Sequence, residues 1–391
     1  MMLEYNPYAY QIHEDPYPTY ARMRAEAPLY RNDELDFWAL SRHADVLAAF
    51  KDARRFSNKN GVSIDPASFG PKAWMFSSFL ATDPPTHTRM RSLVSRGFTP
   101  RRVAELEPRI REIAVQHLDA LVGSGSFDAI ADFAGKLPMD VISEMLGVPE
   151  PDRHDLRIWA DLLVHRNEGE TDVPKEGVLA FGKLATYFKA LIADRRKQPR
   201  EDLLSALLDV EIDGDRLKDS EVLGFCSLMI VAGNETTTKL LANALFWLWH
   251  YPEQRRLLRQ DPSLTTQWVE ETLRFDNSSQ MLARTLVEEM EIHGTQVPAD
   301  SRILLLVGAA NRDERVFPDA DVYDLRRDTS AMLSFGQGTH LCLGASLARL
   351  EGQVALQEWH ARFPDYEVEP EGAVRVHSVN VRGFARLPVR V

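Results

Sequence analysis

The chain has 391 residues, a formal net charge of −12, 44% hydrophobic and 27% charged residues. That acidic balance offers nothing to a nucleic-acid backbone, and two distant cysteines, Cys226 and Cys342, support neither a disulfide framework nor a zinc pairing. The opening MMLEYNPYAYQIHEDPYPTY has no apolar secretory core, so a protein of a reducing, cytoplasmic setting is expected.

Along the chain, apolar residues recur at three- and four-residue spacing over 43–52, 86–98, 100–122, 129–146, 151–167, 174–197, 203–208, 220–250, 252–260 and 264–275, which predicts helices there. Pro100, Pro151, Pro174 and Pro252 stand at or near helix starts, where the missing N–H costs nothing. Strand-like alternation is confined to 29–41, 282–307 and 373–391. The longest irregular stretch, 53–81, is the kind of loop that usually carries function, and a second loop covers 168–173. No linker divides the chain. The expectation is one domain over 1–391, mainly α (α+β), with small sheets. The apolar run 222–250 is interrupted by Asn234, Glu235, Thr236, Thr237, Thr238 and Lys239, so a buried helix and no membrane anchor is predicted.

The run FGQGTHLCLG, 335–344, places Cys342 in a glycine-bent loop that leads into a helix. The N–H groups and dipole at a helix start favour a thiolate, and a lone thiolate suits a metal held mainly by something else, such as a porphyrin. The bland alternative is a buried structural cysteine. In AGNETTT, 232–238, Ala232 and Gly233 leave room for a flat ligand, and Glu235 sets an acid beside the Thr236 hydroxyl. That hydroxyl can bond back to a carbonyl one turn earlier. A solvated polar turn is the alternative, disfavoured by the apolar flanks. Glu271 and Arg274 share a helix face, a spacing that surface ion pairs also show. So do His87 and Arg91, for which a solvated basic face is the alternative.

In this order, over residues 83 to 344, these motifs resemble the cytochrome P450 family. Phe335, Gly336, Gly338, His340, Cys342 and Gly344 fill every place of its haem-ligating signature. RGFARLPV near the C-terminus and PYPTYARMRAEAPLY near the start also look familial. The resemblance implies a P450 fold with haem b between a long central helix and the cysteine loop, and Cys342 as the metal ligand. It implies cofactor contacts at Phe335, Gly336, Gly344, Ala232 and Gly233, and propionate contacts at His87, Arg91, Arg284 and His340. It makes Glu235 and Thr236 the catalytic acid–alcohol pair that relays protons toward O2, and Glu271, Arg274 and Arg327 a structural triad. One departure is Ser278, where the family often has proline; it leaves a polar segment, Asn277–Gln280, as a substrate anchor or as loop packing.

The implied activity is insertion of one oxygen atom of O2, by hydroxylation or epoxidation, into a small molecule. Without reductase motifs the chain looks like the soluble type fed by a ferredoxin-type electron donor, met by basic residues such as Arg101, Arg102 and Arg349, and working as a monomer. Trp74, Phe76, Phe79, Met229, Ser279 and Met281 are candidate pocket residues for a lipophilic substrate of lipid, terpenoid or steroid type. A peroxide-driven peroxygenase would carry an arginine–proline pair in place of Glu235–Thr236, and a non-catalytic haem sensor would need no such pair.

Overall fold

The computed structural model describes residues 3–391. Its longest element is the central helix Asp219–His250. Phe225, Leu228 and Ile230 before its polar turn, and Leu240, Leu241 and Leu245 after it, are buried. A helix apolar on every face must lie inside the protein. Glu221 accepts the Lys218 N–H at 2.8 Å and closes its first turn. Leu137–Leu146, Arg153–Val164, Lys175–Lys197, Thr265–Phe275 and Ala345–Arg362 pack around it.

Proline explains where the expected helices divide. The predicted helix 100–122 is two, Pro100–Ala104 and Glu107–Asp119, and Pro108 lies in the first turn of the second. Its ring could not continue the first helix. Likewise 129–146 is a π-helical turn, Ile130–Ala134, then Leu137–Leu146 with Pro138 in its first turn. Trp74–Ser77, inside the expected loop 53–81, and Val307–Ala310 were not expected to be helical. Nor were the two N-terminal helices, Tyr10–Glu14 and Tyr17–Glu26. Their inner surface is aromatic: Tyr20 packs against Tyr5, with ring centroids 5.9 Å apart.

The main sheet has five strands in the order Leu29–Asn32, Phe37–Leu40, Arg302–Leu306, Met281–Leu286 and Phe56–Ser57. Phe37–Leu40 and Arg302–Leu306 run parallel, while Arg302–Leu306 and Met281–Leu286 are antiparallel with Ile303 opposite Arg284. Successive strand residues face opposite sides. Met281 and Ala283 therefore join the core around Tyr5, Tyr8 and Tyr20, whereas Arg284 turns the other way, over the Phe50 ring. The loop 53–81 is tied to the 168–173 region by Arg166, which donates to Asp65 at 3.0 and 2.8 Å with both side chains buried.

Asp276, directly after Thr265–Phe275, joins distant parts of the chain. Its carboxylate accepts from the Tyr17 hydroxyl at 2.7 Å, Arg382 Nε at 2.7 Å and Trp247 Nε1 at 2.8 Å, with Arg375 at 3.5 Å. Burial pushes this carboxyl up, but Arg382 and Arg375 outweigh it and hold it well below the usual carboxylate range. A group depressed on folding stabilises the fold above its unfolded value, about 4, and loses that contribution as the pH falls. Asp276→Asn is expected to cost ~3–5 kcal/mol at neutral pH. The gap between variant and wild type in unfolding titrations should narrow as the pH drops below about 4; a pH-independent gap would contradict this role.

Candidate active site

The cysteine loop is shaped by two left-handed glycines, Gly336 (φ 69°) and Gly338 (φ 70°). At Gly338 a Cβ would also lie 2.7 Å from the Phe50 carbonyl oxygen, so only glycine fits. The Cys342 N–H donates to the Phe335 carbonyl at 2.9 Å, and the helix Ala345–Arg362 begins three residues on. A Cβ at Gly344 would meet nothing within 4 Å. Cys342 keeps accessible surface, yet the surrounding protein is dense enough to govern its ionisation. Burial pushes the thiol up; the Gly344 N–H, Arg91 and Arg349 pull it back only in part. Burial therefore opposes the thiolate that the helix start favours. A bound metal would reverse the balance, since a coordinating thiol is deprotonated. Among the described residues no group of His, Cys, Asp and Glu gathers as for a metal ion, so a metal at Cys342 would need its other ligands from outside the chain.

Near Cys342 the side chains of His87, Arg91, Arg284 and His340 converge from three parts of the chain. The rings of His87 and His340 lie 4.0 Å apart. Among the described residues none of their four ring nitrogens has a hydrogen-bond partner, although all are buried. Burial followed by Arg91 pushes His87 down to about 4; burial followed by His87, Arg284 and Arg91 pushes His340 down to about 2. Burial lowers Arg284 to about 10, with Asp83 opposing it. Buried polar groups are normally paired. Four basic groups, two of them with orphaned nitrogens, fit an anionic partner, such as the two carboxylates of a haem b.

On the central helix the Thr236 hydroxyl donates to the Ala232 carbonyl at 2.7 Å, one turn back, as its position suggests. Glu235 is fully buried, its Oε1 accepting from Asn234 Nδ2 at 2.9 Å. Gly233 departs from expectation: a Cβ there would meet Ile142 at 3.5 Å. That is ordinary van der Waals distance, so this position of the helix faces Leu137–Leu146.

Glu271 and Arg274 are not a surface pair. Arg274 donates to Glu271 at 2.8 and 2.7 Å, with both side chains essentially inaccessible. Arg274 also donates to the Asn311 and Ala320 carbonyls at 3.0 and 2.9 Å. Arg327 reaches Glu271 at 3.3 Å, completing the expected triad of contacts. Sequence reasoning missed Asn311, whose side chain accepts the Leu333 N–H at 2.7 Å and donates to Ser334 at 2.8 Å. It thereby connects the triad to the residues that lead into the cysteine loop.

Most polar side chains of the segment 277–280 bond to neighbouring backbone. Ser278 donates to the Thr236 carbonyl at 2.7 Å, and Gln280 donates to the Asn277 carbonyl at 2.8 Å. Ser279 bridges to Val381, and its carbonyl accepts from Asn277. Loop packing accounts for the Asn277 and Ser278 contacts, while Gln280 Oε1 is buried without a partner among the described residues. Of the candidate pocket residues, Met281 lies in the tyrosine core, its sulfur accepting from the Tyr5 hydroxyl at 3.7 Å, because the strand turns it away from Arg284. Phe79 and Met229 are buried core residues, and the Phe79 ring sits 5.7 Å from that of His87. Trp74 and Phe76 are exposed, and the Phe76 ring packs at a tilt against Phe181 with centroids 4.8 Å apart. Arg349 is half-buried and bound to Glu270 at 2.6 Å, stacked over Phe335. Arg101 and Arg102 are exposed.

The sequence model of the family described as Cytochrome P450 matches residues 179–378. A cytochrome P450 of Mycobacterium tuberculosis is 54% identical over 99% of this chain and 96% of its own. Vitamin D(3) 25-hydroxylase of Pseudonocardia autotrophica is 40% identical over 96% of this chain and 94% of its own. A Bacillus megaterium P450 solved with testosterone superposes with a TM-score of 0.90 at 29% identity, covering 97% of this chain and 98% of that one.

Removing one partner of a buried ion pair leaves the other charge uncompensated, at ~3–5 kcal/mol. Arg274→Ala is expected to destabilise by that amount. Arg274→Lys should fall well short of rescue, since an ammonium cannot span Glu271 and two carbonyls in the guanidinium's fork. Thermal unfolding of both variants checks this; a lysine variant as stable as wild type would contradict it.

Proposed function

This chain belongs to the cytochrome P450 family and is a haem b monooxygenase, and from that premise we propose that Cys342 ligates the iron, that His87, Arg91, Arg284 and His340 hold the propionates, and that Glu235 and Thr236 deliver protons. The observation that carries this reading is the convergence of four basic side chains, two of them with orphaned nitrogens, near an accessible cysteine. The haem, when bound, supplies the activation of O2, one oxygen atom entering the substrate and the other leaving as water.

The chain's own groups have separate tasks. The Gly344 N–H, Arg91 and Arg349 favour the anionic form of Cys342. Arg349 also braces Phe335 through a cation–π contact. The Thr236 hydroxyl gives its proton to the Ala232 carbonyl, so its oxygen lone pairs remain free to accept a hydrogen bond from water. Glu235, pushed by burial well above the ordinary carboxylate range, keeps a proton to donate near neutral pH. Its place next to Thr236 in sequence supports a relay from solvent to the hydroxyl's surroundings.

For substrate we infer a lipophilic polycyclic molecule of steroid type, hydroxylated with electrons from a ferredoxin-type donor. The named action of the Pseudonocardia relative on vitamin D3 and the testosterone held by the Bacillus neighbour support the class. So do the exposed Trp74 and Phe76, the latter packed against Phe181. Among the described residues no helix is long and apolar enough to cross a membrane, and we propose a cytoplasmic, monomeric enzyme with a single domain over 1–391.

Titrating the ferric holoprotein with testosterone, vitamin D3 and palmitate tests the substrate class. The sterol ligands are expected to drive the low-spin to high-spin change; a response to palmitate alone would overturn it. Thr236→Ala is expected to cut product per electron pair roughly tenfold or more while releasing peroxide, the scale of a lost proton-transfer group. Unchanged coupling would count against the proton-delivery role.

A further inference from the structure

Glu235 has a neighbour that the relay as described does not use. Lys239 lies one turn further along the central helix, and its Nζ stands 3.4 Å from Glu235 Oε2. Both side chains are almost wholly buried, 4% and 1% exposed. Taking an ammonium out of water costs several kcal/mol unless something compensates it. Among the described residues Glu235 is the one carboxylate within ion-pair distance of Lys239. The fold makes room for this lysine at a specific place: a Cβ on Gly383, in the C-terminal segment, would lie 2.5 Å from the Lys239 Cβ. A lysine buried against a glycine and opposite one carboxyl is a costly arrangement that packing alone does not require.

The groups facing the Glu235 carboxyl can be named. Asn234, on its own helix, donates to Oε1 at 2.9 Å. Lys239 meets Oε2 from the same helix at 3.4 Å, a charge contact and not a hydrogen bond, since Oε2 lacks a partner of hydrogen-bond geometry. Asp161, on the neighbouring helix Arg153–Val164, faces it from the solvent side and is itself exposed. Ile142 closes the preceding turn at Gly233 with apolar surface.

We propose that Lys239 is a positioning residue of proton delivery: its ammonium holds the Glu235 carboxyl in a resting orientation and stabilises the carboxylate that remains once Glu235 has given its proton away. This rests on the reading that Glu235 and Thr236 supply the protons. The step balances simply. The Glu235 O–H bond breaks, the proton passes to a water on the Thr236 side, and the carboxylate left behind pairs with Lys239. A proton from solvent, entering past Asp161, then restores the acid. Burial and Asp161 both oppose the carboxylate, whereas Lys239 favours it. Lys239 therefore makes Glu235 a strong enough acid to donate, in a place where burial alone would leave it too weak.

The test uses the holoenzyme with a surrogate ferredoxin and reductase. Product and peroxide per electron pair are measured against pH for wild type, Lys239→Met, Lys239→Gln, Lys239→Arg and Glu235→Gln. The C=O stretch of the protonated carboxyl is titrated by difference infrared spectroscopy in the resting ferric protein. Without the ammonium the proton affinity of Glu235 rises. The alkaline limb of coupling and the infrared titration should then both move upward by about one pH unit or more in Lys239→Met and Lys239→Gln. Lys239→Arg should restore both, and Glu235→Gln should abolish both. A structural role alone would lower amplitudes without moving the limb. An altered Glu235→Gln profile with an unmoved limb in both neutral Lys239 variants overturns the proposal alone. An unchanged Glu235→Gln profile overturns the relay and the proposal together.

Discussion

The bidentate pairing of Arg274 with Glu271 is the constraint on which the rest of the site depends. A guanidinium so deeply buried is tolerable only if its donors are satisfied. Arg274 meets that demand with Glu271 and the carbonyls of Asn311 and Ala320. Those carbonyls belong to the irregular chain between the main sheet and the cysteine loop, a stretch with little regular backbone hydrogen bonding of its own. Satisfying one charge therefore fixes the course of the segment. The Asn311 side chain extends that order to Leu333 and Ser334, next to Phe335. Cys342 owes its place to this chain of contacts as much as to its glycines.

Opposite logic governs the two polar places that remain. Around Asp276 the donors more than satisfy a single carboxylate, and the result is a rigid junction of the N-terminal helices, central helix and C-terminal segment. Around His87 and His340 the donors lack acceptors. The same protein thus contains one closed polar cluster and one open one. The open cluster stands beside Cys342, where Arg91 is close enough to favour the thiolate. Between them, Ser278 ties its loop to the Thr236 carbonyl and links the junction to the centre of the long helix.

Helices were legible wherever an apolar stripe of 3.6-residue period faced the core, and the long helix was legible because it is apolar all round. What was not legible was short or non-local. Strands of two or three residues, such as Phe56–Ser57 and Ser126–Asp128, are too brief for alternation to register. The N-terminal helices bury tyrosines, which a hydrophobic period does not count cleanly. Pro108 and Pro138 carried the signal that split two helices, and it went unused. Cys342, His87, Arg91, Glu235 and Glu271 were readable because each sits in a compact motif. Asn311 and Ser278 act on partners 22 and 42 residues away, and nothing local announces such contacts. Lys239 was visible as the one cation in the apolar half of the long helix, and its spacing from Glu235 was the available clue.

The account's central claim is that Cys342 provides the thiolate while the basic cluster independently retains the cofactor. The absorption spectrum of the reduced, CO-bound protein tests it most directly, recorded for wild type and Cys342→Ala beside the haem content of each. The wild type should give the red-shifted Soret band of thiolate-bound haem. The variant should lose that band while keeping haem held through His87, Arg91, Arg284 and His340. Persistence of the thiolate band in Cys342→Ala would contradict the account.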